Sequence, residues 1–150
     1  MVFEMATEIL FVRHARAEDQ HPLGDAARGL DQKGRRQFHE QAPRLAKKFQ
    51  IKKIVTSPLV RAAQTAEILA GASDALEVDV RGELARTARD VAELAAESAS
   101  GSALVGHNPS LSDAVRILTG DTEVPELKKG CGLALSRHGD RWKILWRTDL

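Results

Sequence analysis

The chain has 150 residues, 43% hydrophobic and 29% charged, with a formal net charge of +1. That length makes one domain with a real core, and the balanced charge argues against nucleic acid or an acidic membrane as partner. Cys131, the sole cysteine, excludes an intrachain disulfide and reads as a small buried hydrophobe, and no stretch approaches the ~20 apolar residues of a membrane span.

The start, Met1 to Met5, lacks the basic and apolar pattern of a signal peptide, so a reducing cytoplasm is the expected setting. The first strand is the apolar run Ile9-Leu10-Phe11-Val12, and residues 16–30, rich in charge, Gly and Pro, read as a loop. A helix follows with Asp31 as its N-cap and a buried stripe at Phe38, Ala42, Leu45 and Phe49. Pro43 interrupts that pattern, so a kink or break is expected near Ala42. The basic clusters Lys33-Gly34-Arg35-Arg36, Lys47-Lys48 and Lys52-Lys53, interspersed with acids such as Glu40, read as solvated faces.

A second strand is expected at 53–56, then a helix with Ser57 as cap and Pro58 in its first turn, stopped by Gly71. A third strand falls near 76–80 and a helix over Ala88–Ala99 with Val91, Leu94 and Ala95 inward. The strand at 102–106 leads to a helix from Pro109 to about Leu118. Residues 132–136 and 142–147 form a hairpin around Gly139-Asp140. Strands alternating with helices and closing on a hairpin give an α/β fold, a three-layer α/β/α sandwich. Its central sheet is mostly parallel with an antiparallel edge.

Three of these strands end at groups suited to an oxyanion. The first runs into Arg13-His14, the second leads through Thr56-Ser57-Pro58 to Arg61, and the fourth ends at Gly106-His107. Open α/β sheets bind ligands beyond the carboxyl ends of their strands, so the groups converge if the strands are neighbours. Arg13 and Arg61 offer planar forks that match phosphate oxygens, and the helix after His107 would add backbone N–H groups. Arg61 falls near the positive end of its helix dipole, an unfavourable place for a cation unless an anion binds there or the side chain turns to solvent.

His14, beside an arginine, should lose its proton readily and leave an imidazole nitrogen competent to attack phosphorus. Such a reaction needs no metal. His14, His21, His39, His107 and His138 have no metal-ligand spacing, so no cofactor is expected. A Gly-x-x-x-x-Gly-Lys-Ser/Thr loop, a dinucleotide motif and a Gly-x-Ser-x-Gly elbow are all missing.

Phe11-Val12-Arg13-His14-Ala15 resembles the Arg-His-Gly motif of the histidine phosphatase superfamily, which includes the phosphoglycerate mutases. Thr56-Ser57-Pro58-Leu59-Val60-Arg61, continuing to Gln64-Thr65-Ala66, is similar to its second hallmark, and Leu104-Val105-Gly106-His107-Asn108-Pro109 to its glycine-histidine motif. Leu30-Asp31-Gln32-Lys33-Gly34 resembles its Leu-Thr-x-x-Gly helix start, with Asp31 in the capping role of the threonine. The matches run in family order from residue 9 to about 115.

The resemblance implies a phosphoglycerate mutase-like fold in which His14 is the phosphorylated nucleophile, while Arg13, Arg61 and His107 bind the phosphoryl group. One departure is Ala15, where many members carry glycine. The best candidate for an acid is Glu83, in Arg81-Gly82-Glu83-Leu84; the alternatives are a solvated carboxylate or a partner for Arg86. The short span from Thr65 to His107 leaves no room for the inserted helices that lid many relatives. Residues 1–150 are therefore expected to be one histidine phosphatase domain without a lid, similar to the short SixA-type phosphohistidine phosphatases. The partner would be a phosphorylated protein, such as a histidine-containing phosphotransfer domain. A small-molecule phosphomonoesterase and a catalytically weak phosphate-binding module are the competing readings.

Overall fold

The computed structural model describes residues 6–75 and 77–149. The residues read for a signal peptide, 1–5, and Leu76 in the expected third strand lie outside that range. Six strands form one sheet: β1 (Thr7–Arg13), β2 (Lys53–Thr56), β3 (Val78–Val80), β4 (Ser102–Gly106), β5 (Gly132–His138) and β6 (Arg141–Arg147). Four helices connect them: α1 (Gln32–Lys48), α2 (Val60–Gly71), α3 (Ala88–Glu97) and α4 (Ser110–Thr119). The strand order is β3-β2-β4-β1-β5-β6. The first four in that order run parallel, while β5 pairs antiparallel with both β1 and β6.

Side chains of a strand alternate between faces, and each face here builds its own core. Leu10 and Val12 of β1, Ile54 of β2 and Ala103 and Val105 of β4 pack with Phe38, Ala42 and Leu45 of α1 and Ala62, Ala66 and Leu69 of α2. Ile9 and Phe11, Val55 and Leu104 face the other way, onto Val91, Leu94 and Ala95 of α3 and Leu111, Ala114 and Val115 of α4. The middle of each central strand, Ile9–Val12, Ile54–Val55 and Ala103–Val105, is an unbroken apolar run because both faces are covered. Three layers result, as the alternation of strands and helices requires.

Register brings the strand ends level. Arg13 of β1 pairs with Gly106 of β4, and Thr56 of β2 pairs with Val105. The ladder runs one residue further, with the His14 N–H donating to the Gly106 carbonyl at 3.0 Å and the Ser57 N–H to the Val105 carbonyl at 3.0 Å. Positions 14, 57 and 107 therefore leave the sheet at one height, side by side.

Four local expectations are corrected. Helix α1 continues through Pro43 without a break. Pro43 and His39, whose carbonyl loses its partner, are both exposed, so water can satisfy that carbonyl while the buried stripe holds the helix. Helix α2 begins at Val60 with Leu59 as N-cap, later than Ser57-Pro58 suggested: Ser57 Oγ closes a turn on the Leu59 N–H at 3.2 Å and meets His107 Nε2 at 2.7 Å, so the helix starts after it. The 16–30 segment is braced as well as looped: it holds a 3-10 turn at Asp25–Ala27 and a bridge between Ala17 and Leu30. Cys131 is half-buried instead of sealed in the core.

The cap of α1 works as anticipated, with Asp31 Oδ1 accepting from the Gly34 N–H at 2.6 Å. A Cβ at Gly34 would collide with the main-chain carbonyl of Arg16, so the first turn of α1 can lie against the segment after β1 only as glycine. The Leu-Asp-x-x-Gly pattern thus fixes the loop that begins at His14.

Candidate active site

His14 follows the last residue of β1 and is 7% exposed. Its Nδ1 lies 2.7 Å from the Ala15 carbonyl oxygen. Since a carbonyl only accepts, Nδ1 carries the proton and Nε2 keeps its lone pair. The backbone behind it is anchored by Thr65 of α2, whose Oγ1 accepts from the Ala15 N–H at 3.0 Å and donates to the Arg61 carbonyl at 2.8 Å. No non-glycine residue described has a positive φ, so alanine at 15 is unstrained where many relatives place glycine.

His107 stands opposite, its ring centroid 5.1 Å from that of His14 and the planes inclined by 52°. Its Nε2 meets Ser57 Oγ at 2.7 Å, and Ser57 Oγ also accepts from the Leu59 N–H at 3.2 Å. Burial pushes the His14 imidazole down to about 3, with His107, Arg61 and Arg13 lowering it further against the Ala15 hydrogen bond. His107 is pushed down to about 4, again chiefly by burial and then by Arg61. Both rings are therefore neutral at pH 7. Arg13 and Arg61 thus act on both imidazoles, but of the four groups only Arg61 and His107 line a common cleft; Arg13 and His14 do not.

Arg61 is the second residue of α2, and its side chain is 11% exposed. It turns inward to a cleft of about 320 Å³ lined by Asp25, Arg61, Leu84, His107, Asn108 and Ser110. There its Nη1 donates to the Asp25 carbonyl at 3.0 Å and its Nη2 to Asp25 Oδ2 at 3.2 Å. Arg13 is tethered from below, its Nη1 donating to the Leu127 carbonyl at 2.9 Å. Asn108 Nδ2 donates to the same carbonyl at 2.8 Å. Arg13 Nε and His107 Nδ1 are buried with no hydrogen-bond partner among the described residues. Arg13 Nε, always a donor, is a group that an incoming oxyanion suits.

Two expectations about this site are not met. Glu83 does not line the cleft: its carboxylate pairs with Arg81, not Arg86, and that contact holds its carboxyl below the usual range. An ionised carboxylate tied to arginine has no proton to give at neutral pH. The N-terminus of α4 is also less open than expected. The Leu111 N–H donates to the His107 carbonyl, and the Ser112 N–H is capped by Asn108 Oδ1 at 3.2 Å. The motif asparagine takes a donor that an anion would otherwise use.

Ser57, Thr65, Asn108 and Asp25 are the site residues that spacing alone did not single out. Ser57, Thr65 and Asn108 sit inside quoted motifs, where a polar side chain entering a buried turn was the signal. Asp25 carried none beyond its place after Gly24 in a charged loop. Among the described residues, no three His, Cys, Asp or Glu side chains are grouped to hold a metal ion. No helix among them is long and apolar enough to cross a membrane.

Residues 9–97, more than half of the chain, match the model of the histidine phosphatase superfamily, branch 1. The chain belongs to the histidine phosphatase superfamily. Its class of activity is therefore that of a phosphatase. The match ends before His107, which the pairing of β4 with β1 brings beside the Arg13-His14 motif. No curated protein matches the chain.

Solved structures share the fold of this superfamily member at low identity. A chain from Agrobacterium tumefaciens described as a phosphohistidine phosphatase SixA is 20% identical, with a TM-score of 0.85 over 98% of this chain and 100% of that one. A protein histidine phosphatase SixA complexed with tungstate is 19% identical, with a TM-score of 0.80 over 94% and 96%. A mycobacterial glucosyl-3-phosphoglycerate phosphatase with VO3 is 20% identical, with a TM-score of 0.72 over 93% and 98%.

Proposed function

We propose that this phosphatase works through a phosphohistidine formed on Nε2 of His14 and removes phosphate from phosphohistidine on a protein. The observation that carries the reading is the Nδ1 contact to Ala15, which presents the neutral Nε2 within a group of cations. Nε2 attacks phosphorus, the bond to the leaving group breaks, and that group departs with the electron pair. Water then attacks the phosphorus on His14, and the nitrogen–phosphorus bond breaks to return imidazole and inorganic phosphate. Arg13, Arg61 and His107 hold the oxygens on which charge is spread in both steps. Neither step calls for a metal ion.

Leaving-group chemistry supports the substrate class. With Glu83 paired to Arg81, the acid expected from the sequence is not in place for an alkoxide. An imidazole whose other nitrogen is protonated leaves neutral and needs no proton from the enzyme. Among the described residues, those between α2 and β4 hold only β3, a 3-10 turn at Gly82–Ala85 and α3, which supports a lidless single domain open to a side chain on another protein. The fold likeness to a glucosyl-3-phosphoglycerate phosphatase supports small phosphate esters as the alternative.

The test compares phosphate release from a phosphohistidine protein, an aryl phosphate and sugar phosphates, with EDTA present throughout. The reading expects turnover of phosphohistidine and of the aryl phosphate, both abolished in His14→Ala. Loss of wild-type activity in chelator, or full activity in His14→Ala, contradicts it. Preference for a sugar phosphate moves the substrate assignment to the alternative.

A further inference from the structure

We propose that Asp25 is a specificity-determining residue that accepts a hydrogen bond from the protonated ring nitrogen of a phosphohistidine substrate, selecting a ring that is cationic before cleavage over a group that leaves as an anion. This rests on the phosphohistidine reading and deepens it. The placement of the carboxylate carries it. Attacking and leaving atoms stand roughly in line across a phosphoryl group in transfer. His14, the attacking group, does not itself line the cleft, but His107, whose ring centroid is 5.1 Å from that of His14, lines it together with Asp25, which places the leaving group on that outer side. Asp25 itself is 65% exposed at its side chain and faces that mouth.

The carboxylate is held in place independently of Arg61. Its Oδ1 accepts from Arg28 Nη1 at 2.7 Å, and Arg28 Nε donates to the Glu18 carbonyl at 2.6 Å. Glu18 Oε1 in turn accepts from the Gly29 N–H at 2.9 Å. When a phosphoryl oxygen takes the Arg61 fork, Arg28 still pins Asp25 at the rim. Arg28 first, and Arg61 with it, keep the carboxyl below its usual range, so it is an acceptor and a negative charge. That charge also reaches His107.

The two kinds of leaving group respond oppositely. A phosphoester leaves with growing negative charge on oxygen, which Asp25 repels. A phosphohistidine ring protonated on its second nitrogen carries a positive charge, and Asp25 stabilises that form. As the phosphorus–nitrogen bond breaks, its electron pair neutralises the ring, and the second nitrogen keeps its proton. No proton passes to Asp25.

The experiment measures kcat/KM of wild type and Asp25→Asn on a phosphohistidine protein and on p-nitrophenyl phosphate, with inhibition by inorganic phosphate as a control for the shared site. Asparagine keeps the shape and removes the charge. Expected is a fall of about 10- to 100-fold on phosphohistidine, the range for one charge-assisted hydrogen bond, together with a rise on the aryl ester. Equal changes on both substrates would overturn the proposal, showing Asp25 to be only a competitor for Arg61. An unchanged ratio overturns it as well. Wild type that turns over the aryl ester but not phosphohistidine instead refutes the underlying substrate reading.

Discussion

Replacing Thr65 by valine isolates the contact that sets the nucleophile. Thr65 is fully buried, and its hydroxyl takes the Ala15 N–H at 3.0 Å while donating to the Arg61 carbonyl at 2.8 Å. Valine matches the volume but leaves the Ala15 N–H without an acceptor in a buried place. An orphaned buried donor costs about 1–3 kcal/mol. The Arg61 carbonyl loses less, because the helix ladder still serves it. At the 2–4 °C per kcal/mol of a chain this size, the melting point should fall by roughly 3–10 °C. Catalysis should fall further, since Ala15, whose carbonyl accepts from His14 Nδ1, can shift, and a displacement near 1 Å costs up to about a hundredfold. Thr65→Ser keeps both hydrogen bonds and removes one methyl, so it should lose about 1 kcal/mol and little kcat. Calorimetry and aryl phosphatase assays of both variants decide the matter. A valine variant as active and as stable as the serine variant would refute the anchoring role.

Gly34→Ala should destabilise by about 1–3 kcal/mol, as overpacking does, and lower kcat by displacing Arg16 and the loop after His14; urea unfolding and turnover check it. Acid should destabilise the fold through both histidines. Their native values, about 3 and about 4, lie below the ordinary ~6.5, so the unfolded chain binds more protons and stability falls as pH drops below about 6.5. After allowance for solvent screening, the pair should contribute a loss of about 2–3 kcal/mol between pH 7 and pH 5. Urea midpoints against pH should then be flatter in the His14→Asn, His107→Gln double variant, and equal slopes would contradict the burial argument.

Strand ends were legible because a strand covered on both faces is an unbroken apolar run, and the residue after its last apolar position must sit at the sheet's carboxyl edge. That logic reached His107, which lies beyond the residues matched by the family model. For Arg61, a cation in the first turn of a helix calls for an anion nearby, and the side chain turns inward beside Asp25 instead of out to solvent. Pro43 misled because local rules weigh a lost hydrogen bond but not the apolar stripe that outweighs it on an exposed face. Glu83 and Asp25 could not be ranked from sequence. Both are loop carboxylates, and only the fold decides that one meets Arg81 and the other Arg61. The capping of α4 by Asn108 was hidden for the same reason: a side chain's choice of partner is a tertiary fact.

The most direct measurement is to catch the phosphorylated enzyme. Wild type mixed with an aryl phosphate and quenched in alkali, where phosphohistidine survives, should carry one phosphoryl group on His14 by peptide mass spectrometry, and His14→Ala should carry none. Turnover of wild type with no phosphate on His14 at any time after mixing, or with phosphate on another residue, would contradict the mechanism.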